Sequence, residues 1–178
     1  AEGAVLGQKG SSAAAGTHAG WAVLAVGPGI EDPAGGLTHG FPTPAELAAV
    51  HPEDLALPRS RRTSLVALVA ALADGSLDLG AGFDWEAARH HLASLPGIGP
   101  WTTELVAMRA LGDPDAFPVT DLGVRRGATT LGLPASTAAL TAVAERWRPW
   151  RAYAVQHLWA ATDPPVNHWP PLQEDRAA

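Results

Sequence analysis

The 178-residue chain has no cysteine, which excludes disulfides, a thiolate zinc site and a cysteine-held iron–sulfur cluster. No stretch approaches the roughly 18 unbroken apolar residues that a bilayer-spanning helix needs. No basic segment followed by a hydrophobic run opens the chain, so its start does not read as a signal peptide. Alternating β-branched residues, the mark of half-buried strands, are missing, and there is no internal repeat. The seven histidines show no pairing at metal-ligand spacing except adjacent His90 and His91. Those two side chains point apart on a helix, so no transition-metal site is expected. The expectation is a soluble intracellular protein, cytoplasmic and without a membrane partner.

What is present is apolar and helical. Hydrophobic residues make up 47% of the chain, enough to bury a core, and much of that share is alanine and leucine, which favour helices. The net charge is −6, a balance that opposes a polyanion, but distribution outweighs the total. The arginines cluster as Arg59, Arg61 and Arg62, as Arg125 and Arg126, and as Arg146, Arg148 and Arg151. On charge alone, such runs read as solvated helix faces.

Helix starts recur. Thr43-Pro44-Ala45-Glu46 is a capping box with proline at the first helical position, and it opens a short helix through Val50. From Ser60 to Ala73, Leu65, Leu68, Val69 and Leu72 fall at helical spacing, with Gly75 as the stop. Asp84 caps a helix expected to bury Trp85, Ala88, Leu92 and Leu95 on one face. Pro100 begins the next, whose stripe is Trp101, Leu105 and Met108. Further helices are expected around Thr137–Trp147 and Trp150–Ala161. Gly27–Gly40 reads as a loop, and the proline-rich stretch from Asp163 to Ala178 as irregular. The residues up to Ser12 resemble the middle of a helix, so a fragment of something longer is expected.

The most informative stretch is His91-Leu92-Ala93-Ser94-Leu95-Pro96-Gly97-Ile98-Gly99-Pro100-Trp101-Thr102. Two amphipathic helices flank a turn whose glycines allow positive φ and bring bare backbone close to a partner. The second helix starts there with unpaired N–H groups and a positive dipole end, which suit a phosphate. Such a device grips a DNA backbone without reading its sequence. A bare Gly-x-Gly would be an ordinary turn; the full Leu-Pro-Gly-Ile-Gly-Pro-Trp-Thr string is far more specific.

This hairpin, followed by Ala107-Met108-Arg109-Ala110-Leu111-Gly112-Asp113-Pro114-Asp115-Ala116-Phe117-Pro118-Val119-Thr120-Asp121-Leu122-Gly123-Val124-Arg125-Arg126, closely resembles the helix-hairpin-helix DNA glycosylase superfamily. Within it, the chain resembles the 3-methyladenine DNA glycosylase II type from about Leu6 to Trp159. The stretch Glu145 to Ala154 and the later His157-Leu158-Trp159 also match. The resemblance implies an all-α, two-lobed helical bundle with a cleft between lobes. The lobes would be about 1–113 and 114–163 of a domain spanning 1–163, with an N-terminal part missing and a tail at 164–178.

The resemblance also implies a function: monofunctional hydrolysis of the N-glycosidic bond of alkylated purines, such as 3-methyladenine, in duplex DNA. Asp121 is then the catalytic carboxylate, stabilising the oxocarbenium-like sugar or activating water. An aspartate at that position is also an ordinary helix cap. Asp113 and Asp115 read as turn residues. Strand-cutting relatives use a lysine amine just after the hairpin, where this chain has Trp101; without it no Schiff base forms there. Trp101, Leu105, Leu122 and Trp159 are the implied base pocket, whose indole faces attract a cationic alkylated ring. Leu105 and Leu122 stand where some relatives carry aromatics.

Implied DNA contacts are Gln8, Lys9, Pro96, Gly97, Ile98, Gly99, Thr102 and Arg125. Lys9 stands at the wedge position of relatives, where an ammonium is a poor stacking plug but pairs with phosphate. The carbonyls of Ala93, Leu95 and Ile98 match those that hold a monovalent cation, Na+ or K+, in relatives; no other cofactor is expected. The implied protein is a nucleoid-associated monomer acting on duplex DNA. The competing readings are a non-catalytic helix-hairpin-helix DNA-binding module, favoured by the acidic balance and altered wedge, and an inactive remnant of a larger repair protein fused to an alkyl-transfer or transcription-regulating part.

Overall fold

A computed structural model describes residues 12–55, 57–80, 82 and 84–162. Gln8, Lys9 and the segment from Asp163 onward lie outside the described residues. Among the described residues there are eight α-helices and no strand beyond a lone antiparallel bridge between Gly29 and His39. The all-α reading therefore holds. None of the helices is long and apolar enough to cross a membrane. The chain divides into two compact units, Ala1–Gly112 and Asp113–Ala178.

The first unit carries α1 (Ser12–Val26), α2 (Pro44–Ala48), α3 (Arg59–Ala73), α4 (Trp85–Ser94) and α5 (Pro100–Arg109). Local chemistry sets several of these boundaries. The Thr43 side chain accepts the Glu46 N–H while the Glu46 carboxylate accepts the Thr43 N–H at 2.6 Å, so the capping box closes as expected. Those hydrogen bonds from Thr43, backbone first, hold the Glu46 carboxyl below its ordinary range. The helix ends at Ala48, two residues short of the expected Val50, whose N–H instead turns back to Leu47. Asp84 accepts from Glu86 and Ala87 to start α4, and Gly75, at φ 76°, follows the α3 C-cap.

Between α1 and α2 the Gly27–Gly40 loop is held by Asp32. Its carboxylate takes the N–H groups of Ala34, Gly36 and Leu37 and is lowered in pKa by them. One core, including Leu47, Leu65, Leu68, Leu77, Leu92 and Val106, gathers all these elements. Two expectations fail here. Trp85 is 40% exposed rather than buried, because it occupies the first turn of α4 while the buried positions, Ala88 and Leu92, lie one and two turns further on. On α5 the most buried residues are Thr102, Thr103, Val106 and Ala107, whereas Trp101 and Leu105 are half-buried. Of the expected stripe Met108 is buried, while at Trp101 and Leu105 the inward face is displaced by one residue.

The second unit carries α6 (Leu122–Thr130), α7 (Thr137–Ala144), a 3-10 turn (Glu145–Trp147) and α8 (Arg151–Ala160). The helix expected to run unbroken from Thr137 to Trp147 tightens to 3-10 geometry over its last three residues. α6 and α8 lie against each other so closely that a Cβ on Gly127 would overlap the Leu158 carbonyl group. Only glycine allows that approach. α8 has no side-chain cap; instead the Ala152 N–H donates to the Pro114 carbonyl at 2.8 Å, which supplies one partner for the open helix end.

Asp115 secures the same junction. Its carboxylate takes Arg151 through two nitrogens, at 2.7 and 2.8 Å, and also Arg148. Burial would raise the Asp115 carboxyl, but hydrogen bonding from Arg151 and the charges of Arg151 and Arg148 outweigh it and hold the group below its ordinary range. Asp113 is the turn residue it was expected to be, accepting the Asp115 N–H at 2.7 Å. Asp115 is more than that, since it binds the two arginines. Arg148 and Arg151, read from the sequence as a solvated run, are internal partners, and Arg62 likewise pairs with Glu53 at 2.5 Å.

Candidate active site

The hairpin is built on bare backbone. α4 ends at Ser94, and its C-cap Leu95 turns extended; the Ile98 N–H closes back onto the Leu95 carbonyl at 3.2 Å. Gly97 stands at φ 74°, a conformation that side chains disfavour, and a Cβ there would collide with the Ser64 Oγ. Ser64 is itself buried on α3, its hydroxyl donating to the Ser60 carbonyl at 3.1 Å. The hairpin therefore rests directly on α3, and Gly97 answers two demands at once. Gly99 is the extended N-cap of α5, Pro100 fills the first helical position, and no side chain caps this end. Arg89 of α4 donates to Glu104 of α5 at 2.9 Å and to Glu86 at 3.3 Å, tying the two hairpin helices together.

Of the hairpin residues expected to meet DNA, Pro96 and Gly97 are exposed and Gly99 is half-buried. Ile98 and Thr102 are buried, 6% and 2% exposed, so neither presents its side chain to a ligand. Ala93, Leu95 and Ile98 follow one another around the turn. Neutral carbonyl oxygens are chemically suited to a hard cation, and the Leu95 oxygen, engaged by one N–H, retains a second lone pair. Among the described residues there is no cluster of three or more histidine or acidic side chains able to hold a metal ion.

In the second unit, Asp121 ends a tight turn. Its N–H donates to Pro118 at 2.8 Å, and the Val119 N–H donates to Phe117 at 2.8 Å. It then caps α6, its Oδ1 accepting the Val124 N–H at 2.9 Å. The same oxygen accepts the indole Nε1–H of Trp159, on α8, at 2.8 Å. Asp121 and Trp159 are half-buried, while Leu122 is 57% exposed. Arg125 is exposed, and its Nε donates to the Ala135 carbonyl at 2.9 Å, fastening α6 to the loop before α7. Of the sites expected in this unit, the fold thus brings Asp121 into direct contact with Trp159. One participant was missed by sequence reasoning. A Cβ on Gly123 would lie 2.9 Å from Trp159 Cδ1 and 3.1 Å from both Asp121 Oδ1 and Trp159 Nε1. The available signal was its place two residues after the aspartate, inside a helix where glycine is costly.

The second unit thus presents a carboxylate fixed at a capped helix end, and the first a hairpin beside a helix start that no side chain caps. No family model matches the chain. It is 56% identical over 171 residues to the "Probable bifunctional transcriptional activator/DNA repair enzyme AlkA" of Mycobacterium tuberculosis, a match covering 96% of this chain and 34% of that protein. It is 37% identical over 123 residues to DNA-3-methyladenine glycosylase 2 of Escherichia coli, covering 67% of this chain and 42% of that protein. Among solved structures, the 3-methyladenine DNA glycosylase from Archaeoglobus fulgidus matches with a TM-score of 0.73 at 30% identity, over 89% of this chain and 55% of that one. Over most of its own length the chain is similar to glycosylases of the helix-hairpin-helix superfamily. Within the superfamily it resembles 3-methyladenine DNA glycosylase II, the AlkA type. It spans about a third to two fifths of the length of these curated relatives.

Proposed function

We propose that the chain carries the base-excision chemistry of a monofunctional DNA glycosylase, hydrolysing the N-glycosidic bond of alkylated purines in duplex DNA. The observation that carries the reading is the Asp121 carboxylate, half-buried and fixed by two donors at the mouth of α6. As the bond to an alkylated purine breaks, positive charge grows on the deoxyribose, and a pre-oriented carboxylate stabilises it without reorganising. The same group can orient the attacking water. A purine alkylated on its ring leaves as a neutral base, so the reaction does not depend on a strong general acid.

The base must first leave the duplex stack, a step that costs least at a damaged pair. The hairpin backbone from Pro96 to Gly99 and the start of α5 would hold a phosphate through N–H groups and the helix dipole, and the carbonyls of Ala93, Leu95 and Ile98 would hold a monovalent cation there, adding positive charge beside that phosphate. Trp101 takes the position of the strand-cutting lysine, so the product would be an intact strand with an abasic site. The working unit would be a monomeric portion of a longer polypeptide.

The test is incubation of the 178-residue chain with dimethyl-sulfate-treated duplex DNA, followed by alkali to reveal abasic sites. The wild type should release 3-methyladenine and the Asp121→Asn variant should not. Tight duplex binding without release would instead make the chain a DNA-binding module.

A further inference from the structure

We infer that Trp159 is a positioning residue for the Asp121 carboxylate, with Gly123 supplying the space in which the two meet; this rests on the function proposed above. The resemblance assigns Trp159 to the base pocket, where its ring face would matter. The geometry assigns work to its edge. The indole Nε1–H reaches Asp121 Oδ1 at 2.8 Å, and that same oxygen already takes the Val124 N–H at 2.9 Å. Two donors from different helices, α6 and α8, converge on one carboxylate oxygen.

A single N-cap hydrogen bond leaves a carboxylate able to swing about its Cβ–Cγ bond; a second donor, from a direction set by another helix, fixes its plane. Both donors are themselves held firmly. Val124 is fully buried, and Trp159 follows Leu158, whose backbone lies against Gly127. Gly123 completes the arrangement. A methyl group there would stand 2.9–3.1 Å from the indole and from the bonded oxygen, too close for the pair to keep its geometry. A hydrogen bond to an ionised acceptor is among the stronger kinds. Misplacing a catalytic group by a fraction of an ångström acts on the chemical step rather than on substrate binding.

The experiment compares the wild type with Trp159→Phe, Gly123→Ala and Asp121→Asn. It reads the single-turnover rate of 3-methyladenine release from methylated duplex, and separately the affinity for a duplex carrying a tetrahydrofuran abasic site. Trp159→Phe keeps an aromatic face but removes the donor. It should slow release about tenfold with abasic-duplex affinity changed by no more than about twofold. Gly123→Ala, which improves the intrinsic helix propensity of α6, should show the same division. Release at the wild-type rate by Trp159→Phe, or equal losses in release and affinity, would overturn the positioning role. Should Trp159→Phe lose its helical circular dichroism, Gly123→Ala decides, and an unaltered rate in that variant overturns the inference. Wild-type release by Asp121→Asn would refute the underlying function instead, a separate result.

Discussion

Gly20 and Gly127 both stand inside helices, and the same replacement at each should move stability in opposite directions. Gly20, on α1, is exposed, and a Cβ built there meets nothing within 4 Å. Alanine should therefore return the ordinary helix gain of about 0.5–1 kcal/mol. At Gly127 the same gain is opposed by the Leu158 carbonyl, on which the new methyl would fall. Overpacking typically costs about 1–3 kcal/mol. The obstacle here is backbone on both sides, with no side chain free to rotate away, so the upper end of that range applies. The net for Gly127→Ala is a loss of about 2 kcal/mol. In a chain of this size each kcal/mol moves the melting midpoint by about 2–4 °C. Thermal unfolding followed by circular dichroism at 222 nm should place Gly127→Ala about 4–8 °C below the wild type and Gly20→Ala about 2 °C above it. A Gly127→Ala protein as stable as the wild type, or more so, would refute the close approach of α6 and α8.

Two further predictions concern the supports of the site. Asp115→Asn removes the charge that holds Arg151, whose side chain is 14% exposed, and should cost about 1–3 kcal/mol at neutral pH. Because the Asp115 carboxyl is held below its ordinary value in the fold, its contribution is complete above the unfolded value near 4 and is lost as pH falls through the lower folded one. Urea titrations of the two proteins should accordingly differ at pH 7 and converge in strong acid; a gap that persists unchanged there would contradict the ion pair. Gly97→Ala meets both a positive φ and the Ser64 hydroxyl, so it should lower the urea midpoint and weaken duplex binding. The additional change Ser64→Ala should recover only part of the loss, since the left-handed backbone keeps its cost of about 1 kcal/mol. Full recovery would show that the backbone conformation is not strained.

The sequence exposed the parts of the fold that depend on neighbours a few residues apart. Thr43 with Glu46, Asp84 before α4 and Pro100 at the head of α5 all do what short-range capping chemistry requires. The hairpin was legible for the same reason, since its glycines and proline lie within five residues. Long-range partners were not. Asp115 meets Arg148 and Arg151 across 33 and 36 residues, and nothing in a run of arginines says that an acidic turn residue lies against it. The meeting of Trp159 with Asp121 spans 38 residues; motif position could nominate both residues, but only packing of α6 against α8 reveals that an indole edge points at a carboxylate. Gly127 illustrates the same limit, because its need for a missing side chain is imposed by Leu158. Trp85 was misread because periodicity alone gives no notice of where a helix face outruns its neighbours.

The measurement closest to the centre of the account is the single-turnover rate of base release from one methylated duplex by the wild type and by Asp121→Asn. Asparagine caps helices as well as aspartate does and can still accept from Val124 and Trp159, so the variant should fold and bind duplex. Its release rate should nevertheless fall by about 10²–10⁴. Equal rates for the two proteins would contradict the claim that the Asp121 charge stabilises the departing sugar cation.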